Sequence, residues 1–140
     1  MSVKQLITEL LEKETLAVIS TVSSNNTPQA AVVEFGQTDK LELIFDTFSG
    51  SRKYQNLLHN NQVAVVIGWD NNVTVQYEGL ATELAGDELA QYKSIYFQKN
   101  PDAKRWDKYP DIKHFKITPT WIRYSDLSHK PWTVLELDSF

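Results

Sequence analysis

No cysteine occurs among the 140 residues, which excludes disulfides, thiolate metal sites, a cysteine nucleophile and iron–sulfur clusters together. Long apolar runs are missing as well. The longest, Val63 to Ile67, falls far short of the roughly 20 residues a bilayer-spanning helix needs. The opening segment MSVKQLITELLEKE is not a secretory signal, because Glu9, Glu12 and Glu14 interrupt its apolar residues. A cytoplasmic protein without membrane contact is the expectation. Neither GxxxxGK[ST] nor GxGxxG is present, so nucleotide folds of those kinds are not indicated. The three histidines, His59, His114 and His129, lack metal-type spacing such as HExxH; exposed or helix-terminal positions and no metal are expected. Positive charge is scarce in residues 1–86, where Glu9, Glu12, Glu14, Glu34, Asp39, Glu42, Asp46, Asp70, Glu78 and Glu83 face only Lys4, Lys13, Lys40, Arg52 and Lys53. That field is the opposite of a nucleic-acid binder's basic stripe.

What is present suffices for a folded domain. Apolar residues make up 41%, aromatic 11% and charged 23% of the chain, and a chain of this length buries about 70% of its unfolded surface. One domain spanning residues 1–140 is expected. Val3, Leu6, Ile7, Leu10 and Leu11 repeat at the spacing of one helix face, opened by a capping box from Ser2 to Gln5. The period then changes. Leu16–Val22, Gln29–Phe35 and Leu41–Phe45 read as three strands in series, a meander, with turns at 23–28 and 36–40. Tyr54, Leu57 and Leu58 mark a short helix. Gln62–Trp69 is nearly continuous in apolar residues and predicts a strand buried on both faces, turning at Asp70-Asn71-Asn72 into Val73–Leu84. Gly79 inside that strand predicts a bulge or a close backbone approach. Helix is expected over Asp87–Gln98 and Ala103–Lys108, and strand over His114–Tyr124, with Pro119 implying an edge or bend, and over Trp132–Leu137. Six or seven antiparallel strands with helical connections predict a small, mainly β barrel with α segments.

The polar stretch Asp46 to Lys53 reads as a strand-to-helix junction and carries the most chemical information. A helix start offers free N–H groups and a partial positive charge. Placing Arg52 and Lys53 there opposes the dipole, so an anion is expected to compensate them, with Thr47, Ser49 and Ser51 as hydroxyl donors and Gly50 permitting close approach. A solvated basic pair behind a serine cap accounts for the same residues.

The order LAVISTV, NTPQAAVVEF, LELIFDT, SRKYQNLL and NQVAV, followed by VTVQYEGLATEL, closely resembles the pyridoxamine 5'-phosphate oxidase-like FMN-binding split-barrel family. The resemblance is strong over residues 4–86 and loose beyond. It implies a split β-barrel with FMN at a homodimer interface. Arg52 and Lys53 would grip the FMN phosphate with Ser51 beside them, and Asp46 and Thr47 would meet the ribityl-phosphate region. The strand Ala31, Val32, Val33, Glu34 would line the flavin ring through its backbone. Thr74 or Gln76 would come from the second subunit. Trp121, which shares a strand face with Arg123, would cover the flavin or pack on the barrel.

Departures from the vitamin-forming oxidase narrow this implication. Ala31 stands where that enzyme has an FMN-contacting arginine, the basic substrate residue is missing around Glu34-Phe35-Gly36, and the chain ends ELDSF rather than in the oxidase signature. The expectation is therefore a flavin-dependent oxidoreductase of unassigned substrate, not pyridoxine phosphate oxidation. Glu34 and Asp46 are the nearest acid–base candidates, with Trp121, Trp132 or Phe140 as lid. The alternatives are a non-catalytic flavin-binding or sensing module, or a barrel that binds haem, a deazaflavin or an oligonucleotide. Trp106, among Lys104, Arg105 and Lys108 but also Asp102, Asp107 and Asp111, is expected on a mixed solvated helix.

Overall fold

The computed structural model describes residues 1–140. The chain runs α1 (Val3–Lys13), β1 (Leu16–Val22), β2 (Pro28–Glu34), β3 (Gly36–Gln37), β4 (Leu43–Phe48), α2 (Arg52–His59), β5 (Gln62–Ile67), β6 (Val73–Glu83), α3 (Gly86–Lys99), a 3-10 turn (Pro101–Trp106), β7 (Ile112–Asp126) and β8 (Thr133–Leu137). Helix α1 starts as its spacing predicts: Ser2 accepts from the Gln5 amide while the Gln5 side chain accepts from the Ser2 amide. Its Ile7, Leu10 and Leu11 are buried.

All strand pairings are antiparallel, in the order β2-β1-β5-β6-β7-β4-β3, with β8 added to β7. Seven strands have ordinary length and β3 is two residues long. The two ends of this order, β2 and β3, are consecutive in the chain. At Phe35 the backbone leaves the β1 edge and joins the β4 edge, so the sheet curls into a barrel whose wall is split between β2 and β4. The expected meander is thereby corrected. β1 and β2 form a hairpin, but β4 pairs with β7 and β3, because the chain has already left β1 at Phe35 and the Thr38–Leu41 turn, with Leu41 at φ 61°, folds β4 back onto β3. The strand itself begins at Leu43 and runs on through Asp46, Thr47 and Phe48, so these residues are strand rather than junction.

The barrel interior holds the main apolar cluster, which includes Ile19, Phe35, Phe45, Val65, Tyr77 and Ile122. Phe140 packs partly against it. A second, smaller cluster of Ile44, Leu84, Tyr96, Phe97 and Ala103 fills the space between the outer face of β4 and α3. The β5 expectation fails on one face: Val63, Val65 and Ile67 are buried, whereas Gln62, Ala64 and Val66 are exposed. An antiparallel barrel wall has a single inner face, and no helix of this chain covers the outer side of β5. Gly79 does what its place predicts. Glu78 opposes Trp121 and Gly79 opposes Pro119, leaving Thr120 as the extra residue of a bulge, and a Cβ on Gly79 would lie 2.5 Å from the Thr118 carbonyl. That bulge accommodates Pro119 within a central strand.

Candidate functional site

Helix α2 begins beside the split. Ser51 is its N-cap; its Oγ accepts from the Tyr54 amide at 3.1 Å and shares a 2.8 Å hydrogen bond with Thr47 Oγ1 on the adjacent strand end. With Tyr54 so engaged, the amides of Arg52 and Lys53 have no acceptor in the chain. They open on a cleft of about 140 Å³ lined by Ser51, Arg52 and Lys53 on one side and Thr21, Gln29 and Ala31 on the other. Neither basic side chain forms an ion pair. Arg52 is exposed and Lys53 half-buried. Burial lowers the Lys53 pKa, and the Asp46 charge opposes that shift.

A larger cleft of about 400 Å³ adjoins the first and shares Ser51 and Lys53 with it. Val32, Val33 and Glu34 form one wall, Asp46, Thr47 and Phe48 another, and Arg105 with Trp106 of the 3-10 turn a third. β2 is an edge strand here. The Phe35 amide bonds to the Thr15 carbonyl and Leu16 pairs with Glu34, so by antiparallel alternation the peptide groups of Val33 and Ala31 face β1, while those of Glu34, Val32 and Ala30 turn away from it. Val32 and Glu34 therefore present free N–H and C=O groups to the gap. Ala31 instead contributes its small side chain to the floor of the basic cleft.

Asp46 is the most perturbed carboxyl of the site. Burial raises its pKa most, the nearby Glu34 charge adds to this, and the Tyr96 hydroxyl and the Lys53 ammonium pull the other way. Tyr96 stands against Asp46 closely enough for each to shift the other's ionisation, yet neither Asp46 Oδ2 nor the Tyr96 hydroxyl meets hydrogen-bond geometry with any partner. The Tyr96 hydroxyl thus acts on Asp46 as a donor that lowers its pKa, at a geometry short of a full hydrogen bond.

The structure gathers Ser51, Arg52, Lys53, Thr47, Asp46, Ala31, Val32, Val33 and Glu34 around the two clefts. It does not bring Thr74, Gln76 or Trp121 there. Thr74 and Gln76 lie on β6, three strands from β2, with Gln76 exposed and Thr74 donating to the Ile67 carbonyl. Trp121 is half-buried on β7 beneath the Arg123 guanidinium, 5.3 Å from its ring centre, and Arg123 pairs with Glu136. Trp132 and Phe140 line neither cleft. His59 and His129 are exposed as expected, but His114 is buried and its pKa is lowered to about 4, chiefly by burial.

Several residues of the site carry no local signal. Asn56 on the inner side of α2 donates through Nδ2 to Thr21 Oγ1 and Gln29 Oε1, both at 2.9 Å, and so ties the helix to the floor of the basic cleft. Trp106 ends a 3-10 turn whose charged residues Asp102, Lys104 and Arg105 are exposed, in line with the mixed solvated helix expected, but its own ring is half-buried. It packs edge-on against Phe48, with ring centres 5.8 Å apart, under the stacked guanidinium of Arg105. It is the last residue of the proline-initiated turn Pro101–Trp106.

A curled antiparallel barrel with an anion-favouring helix start at its split is the class of protein that fold and site define. The Pyridoxamine 5'-phosphate oxidase family model matches residues 3–126, and the chain belongs to that family. A pyridoxine/pyridoxamine 5'-phosphate oxidase from Photorhabdus laumondii is 34% identical over 83 residues, covering 59% of this chain and 38% of that protein. The chain thus spans well under half of that relative's length. Among solved structures, the General Stress Protein 26 of Bacillus anthracis is 26% identical, with a TM-score of 0.75, over 98% of this chain and 100% of the other. A heme binding protein from Mycobacterium smegmatis reaches a TM-score of 0.86 at 16% identity, over 99% of this chain and 58% of the other, a likeness of fold alone.

Proposed function

We propose that this protein binds FMN non-covalently and serves as a flavin-dependent oxidoreductase, with the cofactor's phosphate in the Ser51–Lys53 cleft. The observation that carries the reading is continuity. A basic cleft on a helix start runs through Ser51 and Lys53 into a roomier cleft edged by the unpaired backbone of β2. Their volumes together suit a small-molecule site, for which about 300–1,000 Å³ is usual. The residues fit the group: two amides, two cations and the hydroxyl proton left over by the Ser51–Thr47 pair for a phosphate, and alternating N–H and C=O groups of Val32 and Glu34 for the edge of a planar heterocycle.

FMN, when bound, supplies two-electron transfer chemistry. The chain's own contribution is binding and orientation. Arg52 and Lys53 neutralise the phosphate, Ser51 and Thr47 fix its register, and Phe48 and Trp106 exclude water from the larger cleft. A second copy of the chain completes the site on this reading. The outer face of the barrel from β2 across to β5 and β6 exposes Val32, Val66 and Leu80, an apolar surface suited to a homodimer, and Thr74, Gln76 and Trp121 would enter from the partner. Haem fits less well, because no histidine lines either cleft.

The absorption spectrum of the purified protein and an FMN titration test this. Flavin bands near stoichiometric occupancy are expected, and Arg52→Ala with Lys53→Ala should weaken FMN by about 3–5 kcal/mol, the worth of two charge-assisted hydrogen bonds. Unchanged FMN affinity in the double variant, or a Soret band in place of flavin bands, overturns the reading. Turnover with NADH or NADPH no faster than that of free FMN would favour a sensing module over an enzyme.

A further inference from the structure

Beneath the larger cleft, three buried polar atoms lack a hydrogen-bond partner: Asp46 Oδ2, the Tyr96 hydroxyl and His114 Nε2. Asp46 and Tyr96 face each other short of bonding geometry, and three such atoms on neighbouring residues is a concentration that a purely structural core avoids. Asp46 and His114 are cross-strand partners on β4 and β7, and the Tyr96 ring on α3 stands edge-on to His114 with ring centres 5.9 Å apart. Tyr96 is fully buried and His114 is 4% exposed. Asp46 alone of the three reaches a cleft, the one it shares with Lys53, and Lys53 in turn borders the basic cleft.

The charged and titratable groups around Asp46 define what it responds to. Glu34 faces it from β2, Lys53 from α2 and Tyr96 from α3, while Arg105 lies across the cleft on the 3-10 turn. His114, from β7, stays neutral above about pH 4 and brings no charge. Lys53 is therefore the cation acting on the Asp46 carboxylate, and the same Lys53 is the half-buried cation offered to an anion.

We propose that Asp46 is the proton-linked control of the anion site, taking up one proton when an anion settles on Lys53, with Tyr96 as its positioning residue. This rests on the reading of Ser51–Lys53 as an anion site. An ionised Asp46 competes for Lys53 and, with Glu34, repels the incoming charge. A proton moving from solution to the Asp46 carboxylate, where it forms an O–H bond, ends the competition for Lys53 and removes the Asp46 share of the repulsion. By reciprocity, the bound anion strengthens proton binding at Asp46 by the same factor. The Tyr96 hydroxyl, sealed behind the carboxyl, holds Asp46 in place and disfavours its protonated form.

The probes are inorganic sulfate, whose charge is constant over the range, and FMN, whose phosphate itself titrates near about pH 6. Calorimetric titration from about pH 4 to about pH 8, in buffers of different ionisation heat, reads both affinity and proton uptake. Sulfate should bind at least about threefold more tightly at the acid end, with up to one proton taken up per anion. Asp46→Asn should bind sulfate and FMN more tightly at the alkaline end and lose the uptake. Tyr96→Phe deletes the hydroxyl that favours the ionised carboxyl and should retain the uptake with its midpoint moved to higher pH. Sulfate affinity independent of pH, or linkage unchanged in Asp46→Asn, overturns the proposal while leaving the anion site standing. Failure of both sulfate and FMN to bind at any pH sinks the anion site and this proposal with it.

Discussion

Two fully buried tyrosines lie on opposite sides of the barrel wall and are treated differently. Tyr77, in the main interior cluster, points its hydroxyl between the Leu41 and Ile117 carbonyls at 2.8 and 3.1 Å. Tyr96, in the smaller cluster outside β4, has a hydroxyl with no bonded partner and stands against Asp46 and His114, which are similarly unsatisfied. Burial raises the pKa of both phenols. The difference is in the polar accounting. The interior of the barrel is closed in its hydrogen bonding and serves the fold, whereas the layer under the larger cleft leaves polar groups unpaired where a ligand would come near.

Acid should break the second region before the first. His114 has a folded-state pKa of about 4 against an ordinary 6.5, so the unfolded chain binds more protons in that window. The His114 contribution is full above about pH 6.5 and is lost as pH falls toward about 4, on the order of 2–3 kcal/mol. Urea denaturation across that range should show the slope, and His114→Phe should flatten it. Tyr77→Phe strands two buried carbonyl acceptors and should cost about 2 kcal/mol of unfolding free energy. Asn56→Ala removes the bridge from α2 to Thr21 and Gln29, for about 1.5 kcal/mol by the same measurement. Tyr96→Phe sharpens the comparison most with the smallest effect: a melting temperature equal to or above that of the parent, within about 0.5 kcal/mol. A loss as large as that of Tyr77→Phe would show that Tyr96 is satisfied after all and erase the distinction.

Much of the fold was legible where the signal is local. The Ser2–Gln5 capping box, the Asn71-Asn72 turn at φ 58° and 61°, and the Gly79 bulge stand where the sequence puts them. The meander did not survive, because a strand of alternating apolar residues states which face it buries and not which strand it pairs with. The β5 reading failed for a related reason. An apolar outer face looks the same in sequence whether a helix, a second chain or solvent lies against it.

The site divides in the same way. Arg52 and Lys53 at a serine-capped helix start placed a basic, amide-lined helix start in the sequence from three adjacent residues, since N-terminal amides and their polarity are properties of a single turn. Asn56, Arg105 and Trp106 could not be read so. They join the clefts only because α2 and the 3-10 turn fold back on the split, across sequence separations that no local pattern encodes. Composition, helix ends, turns and the basic pair were determined by the sequence itself, through interactions within a few residues. The tertiary structure decided the pairing of β4 with β7, the free edge of β2 and the burial of Asp46 against Tyr96, because each depends on which distant backbone removes water and hydrogen-bond partners from the other.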